Sequence, residues 1–321
     1  MAVGGTTIRS MIGFRHKSLV PLGKFSLQRV RRPKLPFRAR LGTPALSLQP
    51  LHTEPVILGA AGTLVVSLAT CPAEVTAAQD LRFRVFESMK TGSAPVTGGL
   101  DRDRFDAYCD HLLVLDQSVD GPLSSQLVGT YRLLSPESAE RAGRFYTADE
   151  FDLPSLLSRH PERRFLELGR SCVLPAYRTK RTIDLLWQGI WAYCLSHRID
   201  TMVGCASFPG TAPAAHAEAL SFLAHHAAAE RDFICPAQPG RGVPTDMMPA
   251  EAVDMKSALG AMPPLVKGYL RLGAMFGHEA VVDKDFGTVD VLTILPVERI
   301  ASRYLTHFTP KAKQAAEALA A

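Results

Sequence analysis

Arg164-Phe165-Leu166-Glu167-Leu168-Gly169-Arg170-Ser171-Cys172-Val173, stopped at Pro175 and followed by Tyr177-Arg178-Thr179-Lys180-Arg181-Thr182, reads as a strand running into a helix. From Arg178 to about Ser196, apolar Ile183, Leu186, Trp187, Ile190, Trp191 and Cys194 recur at helical spacing. A further strand is predicted over Asp200–Ser207. Strand, helix and strand in succession point to an α/β fold.

Outward from this core, Val56–Ala69 is rich in β-branched residues and reads as a strand entering the fold, which should begin near Thr63 with Leu64–Leu68 as a strand. Thr70 is the predicted cap of a helix with Pro72 in its first turn and Val75, Leu81, Val85, Phe86 and Met89 on one face. Thr91–Asp110 reads as a loop. His111–Val119 and Gln126–Leu134 follow as strands around the turn Asp120-Gly121-Pro122. Short helices are predicted over Leu153–Ser158 and Leu265–Leu272, and an alanine-rich one over Pro213–Ala229. A strand over Val289–Leu295 and a closing helix over Val297–Thr306 complete the pattern, the C-terminal third forming an added layer.

The chain has 321 residues, 46% hydrophobic and 21% charged, enough for one large α/β domain or two small ones. No apolar run approaches the roughly 18 residues that span a bilayer. Residues 1–53 hold ten Lys or Arg and no acid; with a chain total of +5, the remainder carries a net −5. Three readings of this arm compete: a disordered tail, an organellar transit-like segment, and an anchor for anionic lipid, where each basic residue is worth about 1 kcal/mol. The expected layout is a disordered arm over 1–60, a domain over 61–309, and a polar, alanine-rich tail over 310–321. The six cysteines show no C-x-x-C spacing and no paired-histidine pattern, so neither zinc nor a disulfide framework is expected.

Four stretches could carry chemistry. Glu167 and Arg170 fall on opposite faces of a regular strand; a bulge at Gly169 would bring them together. The pair could then grip an amino acid, Arg170 on its α-carboxylate and Glu167 at its ammonium, or form an ion pair between strands. Arg178, Lys180 and Arg181 at a helix start could bind phosphate or stand in solvent. Asp101, Asp103, Asp106, Asp110 and His111, with Arg82 and Arg84, line a polar pocket or make a surface network. Met262–Ala274, with Lys267 and Arg271, packs and turns. Cys172 beside the first stretch reads as a small core residue, not a nucleophile.

Several of these stretches, in order, resemble one family. Glu167–Val173, Tyr177–Thr182, Leu186–Trp191, Gly204–Ser207, Pro263–Gly273 and Asp285–Val291 resemble the ornithine N-acyltransferases of bacterial ornithine-lipid synthesis, over roughly Leu64–Tyr304. The resemblance implies a GNAT-type acyltransferase fold, a mixed central sheet with splayed strands flanked by helices. It implies transfer of a 3-hydroxyacyl chain from acyl carrier protein to the α-amine of L-ornithine, giving lyso-ornithine lipid. On a looser likeness to acyl-homoserine-lactone synthases, Glu167 and Asp106 become the catalytic candidates, and Arg170, Arg82, Asp103, Arg132 and His111 the substrate-binding ones. Arg178, Lys180 and Arg181 would meet the phosphopantetheine of the donor. No bound cofactor, metal or nucleic acid is expected. The acyl-carrier thioester is a co-substrate, and the location is cytoplasmic with peripheral contact at the inner membrane. Two rival readings are a lactone-forming synthase and a non-enzymatic, haemolysin-like membrane-active protein.

Overall fold

The computed structural model describes residues 56–89, 98–300 and 302–320, with backbone alone at 302–308, 310 and 311. The basic arm up to residue 55 lies outside the described residues. Nine strands form one sheet in the order β1-β2-β3-β4-β5-β6-β9-β8-β7. They are β1 (Ile57–Ala61), β2 (Leu64–Leu68), β3 (Asp110–Asp116), β4 (Leu127–Leu134), β5 (Phe165–Val173), β6 (Thr201–Pro209), β7 (Gly242–Pro244), β8 (Met275–Asp283) and β9 (Thr288–Pro296). Every pairing is antiparallel except β5 with β6.

Helices α1 (Pro72–Glu87), α2 (Leu123–Gln126), α3 (Pro136–Ala142), α4 (Leu153–Arg159), α5 (Lys180–Ser196), α6 (Ala217–His226), α7 (Met255–Ala261), α8 (Pro264–Leu272) and α9 (Ser302–Ala320) surround the sheet. Alternation along β3 sorts the layers. Leu112 and Val114 pack with Ile190, Tyr193 and Leu186 of α5, whereas Leu113 packs with Leu81 and Val85 of α1. The α1 face also carries Phe105, Phe145, Phe151, Phe165, Leu292 and Ile294 as a second buried cluster. Each such fully buried side chain contributes roughly 1.5–3 kcal/mol of transfer free energy.

Several expectations are corrected here. β2 falls on the Leu64–Leu68 strand that the sequence predicts, but Val56–Ala69 as a whole is a hairpin, β1 and β2, closed at Gly62, and β1 begins inside the stretch assigned to the arm. Cys71, not Thr70, caps α1, while Glu74 accepts hydrogen bonds from the Thr70 backbone and hydroxyl. The C-terminal third does not merely add a layer. It supplies β7, β8 and β9, and β9 pairs along all of β6, from Thr201 opposite Pro296 to Pro209 opposite Thr288. β6 needs that neighbour because its other edge is largely open. The closing helix starts at Ser302 and runs to Ala320, through the segment assigned as a tail.

The opening between β5 and β6 defines the site. The two strands pair through Phe165 with Thr201, Leu166 with Met202 and Glu167 with Val203, then diverge. Gly204 stands at the point of divergence, where an added Cβ would fall 2.3 Å from the Leu168 carbonyl oxygen. Gly204→Ala must therefore push the strands apart, at a cost of about 1–3 kcal/mol. The expected result is a thermal midpoint lower by several degrees, and a melt matching the wild type would remove Gly204 from this role.

Candidate active site

β5 bulges just beyond the divergence. Gly169 pairs with Arg132 and Cys172 with Thr130, so Arg170 and Ser171 together oppose Tyr131. Arg170 takes a left-handed backbone, φ 50°, which costs a non-glycine residue of order 1 kcal/mol or more. The bulge cancels the alternation that would have separated Glu167 from Arg170. Both side chains now approach Tyr146: Glu167 accepts from its backbone N–H, and the Arg170 guanidinium carbon lies 4.8 Å from its ring centre.

The acid-rich loop is a buried network, not a surface one. Asp103 caps the 3-10 turn Arg104–Ala107, accepting from Phe105 N–H at 2.8 Å, while Asp106 accepts from Asp103 N–H at 3.1 Å. This reciprocal capping aims both carboxylates at the sheet. Arg132 Nη1 of β4 reaches Asp103 Oδ1 at 2.7 Å and Asp106 Oδ1 at 3.1 Å. Arg82 of α1 donates through Nη2 to Asp106 Oδ2 at 2.9 Å and sits 2.8 Å from Asp101 Oδ2 through Nε. Arg170 lies 3.2 Å from Asp101 Oδ2 and 3.1 Å from Asp103 Oδ2. Three guanidinium groups thus interlock with three carboxylates, and Arg82 and Arg132 are only 1% and 3% exposed.

These contacts sort the roles. Burial pulls the Asp106 carboxyl upward, but the Arg82 hydrogen bonds and charge, with that of Arg132, hold it well below the usual range. With Gln79 Nε2 also donating to it at 3.0 Å, the Asp106 carboxylate is held by the side chains of Gln79, Arg82 and Arg132. Burial lowers the His111 pKa, and its Nε2 donates to the Asp106 carbonyl oxygen at 3.1 Å. His111 is buried and ties its ring to the backbone of the loop. Arg170 Nη2 donates to Asp103 Oδ2 while its Nε only lies beside Asp101, and its guanidinium carbon lies 4.6 Å from the Phe286 ring centre. Phe286 in turn meets Phe86 of α1 edge-on at 5.8 Å.

Glu167 is 3% exposed and accepts from Tyr146 N–H at 2.7 Å and Thr147 N–H at 2.6 Å. Burial raises its pKa, and those hydrogen bonds oppose the rise. Each oxygen retains a further lone-pair direction. Cys172 is buried, its thiol pushed up by burial to about 12, far from the thiolate that a nucleophile requires.

Arg178, Lys180 and Arg181 are all exposed at the start of α5. Thr179 caps that helix, accepting from Thr182 N–H at 3.4 Å, and Lys180 pairs with Asp184 one turn on. Because α5 follows β5, this cationic helix start lies beyond the end of the strand that opens away from β6.

Sequence reasoning did not single out Tyr146 or Glu150, and it included Phe286 and Asp290 only as members of the Asp285–Val291 stretch, with no role of their own. Glu150 follows the 3-10 turn Tyr146–Asp149, and Asp290 of β9 pairs with Ser207 of β6. Both lie against Cys205, the residue after Gly204. An isolated acid such as Glu150 carries no sequence signal of this kind.

Residues 81–188 match the acetyltransferase (GNAT) domain family. Over 255 residues the chain is 55% identical to the L-ornithine N(alpha)-acyltransferase of Rhizobium meliloti (strain 1021), covering 78% of this chain and 86% of that one. Over 262 residues it is 54% identical to the L-ornithine N(alpha)-acyltransferase of Brucella abortus (strain 2308), covering 81% and 93%. Among solved structures, an N-acyl amino acid synthase from uncultured soil microbes aligns with 12% identity and a TM-score of 0.46, covering 76% and 98%. No helix among the described residues is long and apolar enough to cross a membrane.

Proposed function

This chain belongs to the L-ornithine N(alpha)-acyltransferases, and from that premise we propose that it moves a 3-hydroxyacyl group from acyl carrier protein to the α-amine of L-ornithine. The observation that carries this reading is the divergence of β5 from β6 after Glu167, with the buried Asp–Arg network on one side and the cationic start of α5 beyond the open end. The phosphopantetheine arm enters the opening, its phosphate meets the α5 N–H groups and Arg178, Lys180 and Arg181, and its thioester reaches the divergence point.

The chemistry is direct aminolysis. The neutral α-nitrogen attacks the thioester carbon, the C–N bond forms, and the C–S bond breaks. The sulfur leaves as thiolate and is protonated. Amino groups of this kind titrate near 8 or above, so the nitrogen must lose a proton on the way. Glu167 takes it through a water, because its oxygens face the Tyr146–Thr147 turn. Backbone N–H groups of β5 released from the β6 ladder stabilise the oxyanion. Arg170, Arg82, Asp103 and Arg132 shape the acceptor side, Arg170 turning toward the α-carboxylate. Asp106 and His111 hold that frame in place. The product is amphiphilic, and the reading includes peripheral contact with the cytoplasmic face of the inner membrane.

The test incubates the purified chain with 3-hydroxyacyl carrier-protein thioesters and a panel of amino acids, with products identified by mass spectrometry. Nα-acylornithine is the expected product. A lactone formed from S-adenosylmethionine, or membrane lysis without any acyl donor, would replace this reading with one of its rivals. Charge reversal of Arg178, Lys180 and Arg181 together should raise KM for the carrier about 10-fold, most at low salt. An unchanged KM would assign the three to a solvated helix start.

A further inference from the structure

The Asp–Arg network balances its charges, but the other side of the opening does not. Glu150 and Asp290 are 5% and 7% exposed, and Cys205 lies against both. One carboxylate oxygen of each acid and the Cys205 sulfur all lie within 4.8 Å of one another. Arg241 Nη2 is 3.7 Å from Glu150 Oε1, with its side chain 39% exposed, and the charge of Arg170 reaches Asp290. A separate observation points to a missing partner: Asp290 Oδ1 is buried with no hydrogen-bond partner among the described residues. Burial, with the charges of Asp290 and Asp283, pushes Glu150 up to about 7. Burial, with the charge of Asp283, pushes Asp290 up to about 6 against hydrogen bonds from Ser207 and Thr288 and the charge of Arg170. Two carboxylates kept out of water are costly unless a cation meets them.

We infer that Glu150 and Asp290 bind the side-chain ammonium of the acceptor amino acid and so select a diamino acid over a monoamino one. This rests on the aminolysis reading above and adds to it the residues that recognise the far end of the acceptor. A tetrahedral ammonium making hydrogen bonds of ordinary length reaches acceptors about 4.6 Å apart, which suits this spacing. A metal ion suits it less. Cys205 Sγ donates to Glu150 Oε2 at 3.3 Å, and a metal ligand would have to surrender that proton. Placement agrees as well. Glu167 holds Tyr146 and Thr147 at one end of the 3-10 segment, and Glu150 stands at the other. Such a segment rises about 2 Å per residue, so Thr147 and Glu150 are about as far apart as a three-methylene side chain is long. The acceptor can thus lie along the segment, its α-amine near Glu167 and its ammonium at the two acids.

The experiment compares L-ornithine with L-norvaline, which has the same carbon chain and no side-chain amine. Wild type, Glu150→Gln and Asp290→Asn are each titrated with both amino acids by calorimetry, and kcat/KM is measured for both with an acyl carrier-protein thioester. The wild type should favour ornithine by at least about 100-fold, as sites built around a substrate's polar group do. Each variant should reduce that ratio at least tenfold. The two substitutions sit on different elements, so misfolding of one, seen in its melt, leaves the other decisive. A wild type that does not distinguish the two amino acids overturns the inference. So does a ratio preserved in a folded variant, or a stoichiometric Zn2+ site lost in the variants while the ratio persists. Ornithine preference erased by the variants with no acyl transfer from any donor would keep this inference and reject the donor reading. Acyl transfer with an intact ratio would do the reverse.

Discussion

Glu167→Gln is expected to lower kcat/KM by at least about 100-fold, the lower bound for losing a positioned proton acceptor. The same change disturbs the fold locally. Glu167 accepts from two backbone N–H groups, one on each oxygen. A glutamine offers one oxygen, and its NH2 faces the second donor. A buried N–H left unpaired costs about 1–3 kcal/mol, so the thermal midpoint should fall by several degrees. The pH profile separates the two effects. Because burial raises the Glu167 pKa, wild-type kcat/KM should fall as pH drops through that raised value and the carboxylate takes up its proton. The glutamine variant should lack that limb and regain rate at high pH, where the free amine needs no acceptor. A variant within about 3-fold of wild type would remove Glu167 as the base. A variant with no recovery at high pH would make it only an anchor for the Tyr146–Thr147 turn.

Arg82→Met should have the largest effect on stability. Arg82 is 1% exposed and bridges Asp101 and Asp106. Removing it leaves buried carboxylates with one cation fewer, which costs about 3–5 kcal/mol. For a domain of this size the midpoint should fall by roughly 10 °C. The sign with pH follows from Asp106. Its folded pKa is depressed, so its contribution is complete above the unfolded value of about 3.9 and fades as pH falls through the folded one. The gap between wild type and Arg82→Met should therefore narrow in acid. Adding Asp106→Asn to Arg82→Met should recover part of the loss, because the uncompensated charge goes too. A single variant losing less than about 1 kcal/mol would return the network to the worth of a surface ion pair.

The elements with strong periodicity were legible. β5 and α5 fall within a residue or two of where alternation and helical spacing put them. Short or interrupted elements were read unevenly: the seven-residue α4 lies where a helix over Leu153–Ser158 is predicted, and others were missed. β8 changes register between Phe276 and Ala280, which breaks its alternation around Gly277. α3 and α7 are seven residues each and show too few turns for a stripe to stand out. The β1–β2 hairpin hides in one apolar run whose turn is marked by Gly62 alone.

By itself, the sequence determined the α/β class, the family, and the kinds of group available: acids and arginines near one strand and a cationic helix start after it. These are local properties, carried by spacing and composition. Which acid meets which arginine was decided only in three dimensions. The left-handed bulge at Arg170 turns a side chain that alternation sends the other way. Glu150 and Asp290, far apart in the chain, meet because β9 pairs with β6 beside the 3-10 segment. Long-range packing sets how much water and which charges surround a carboxylate, and those surroundings depress the Asp106 pKa and raise that of Glu167.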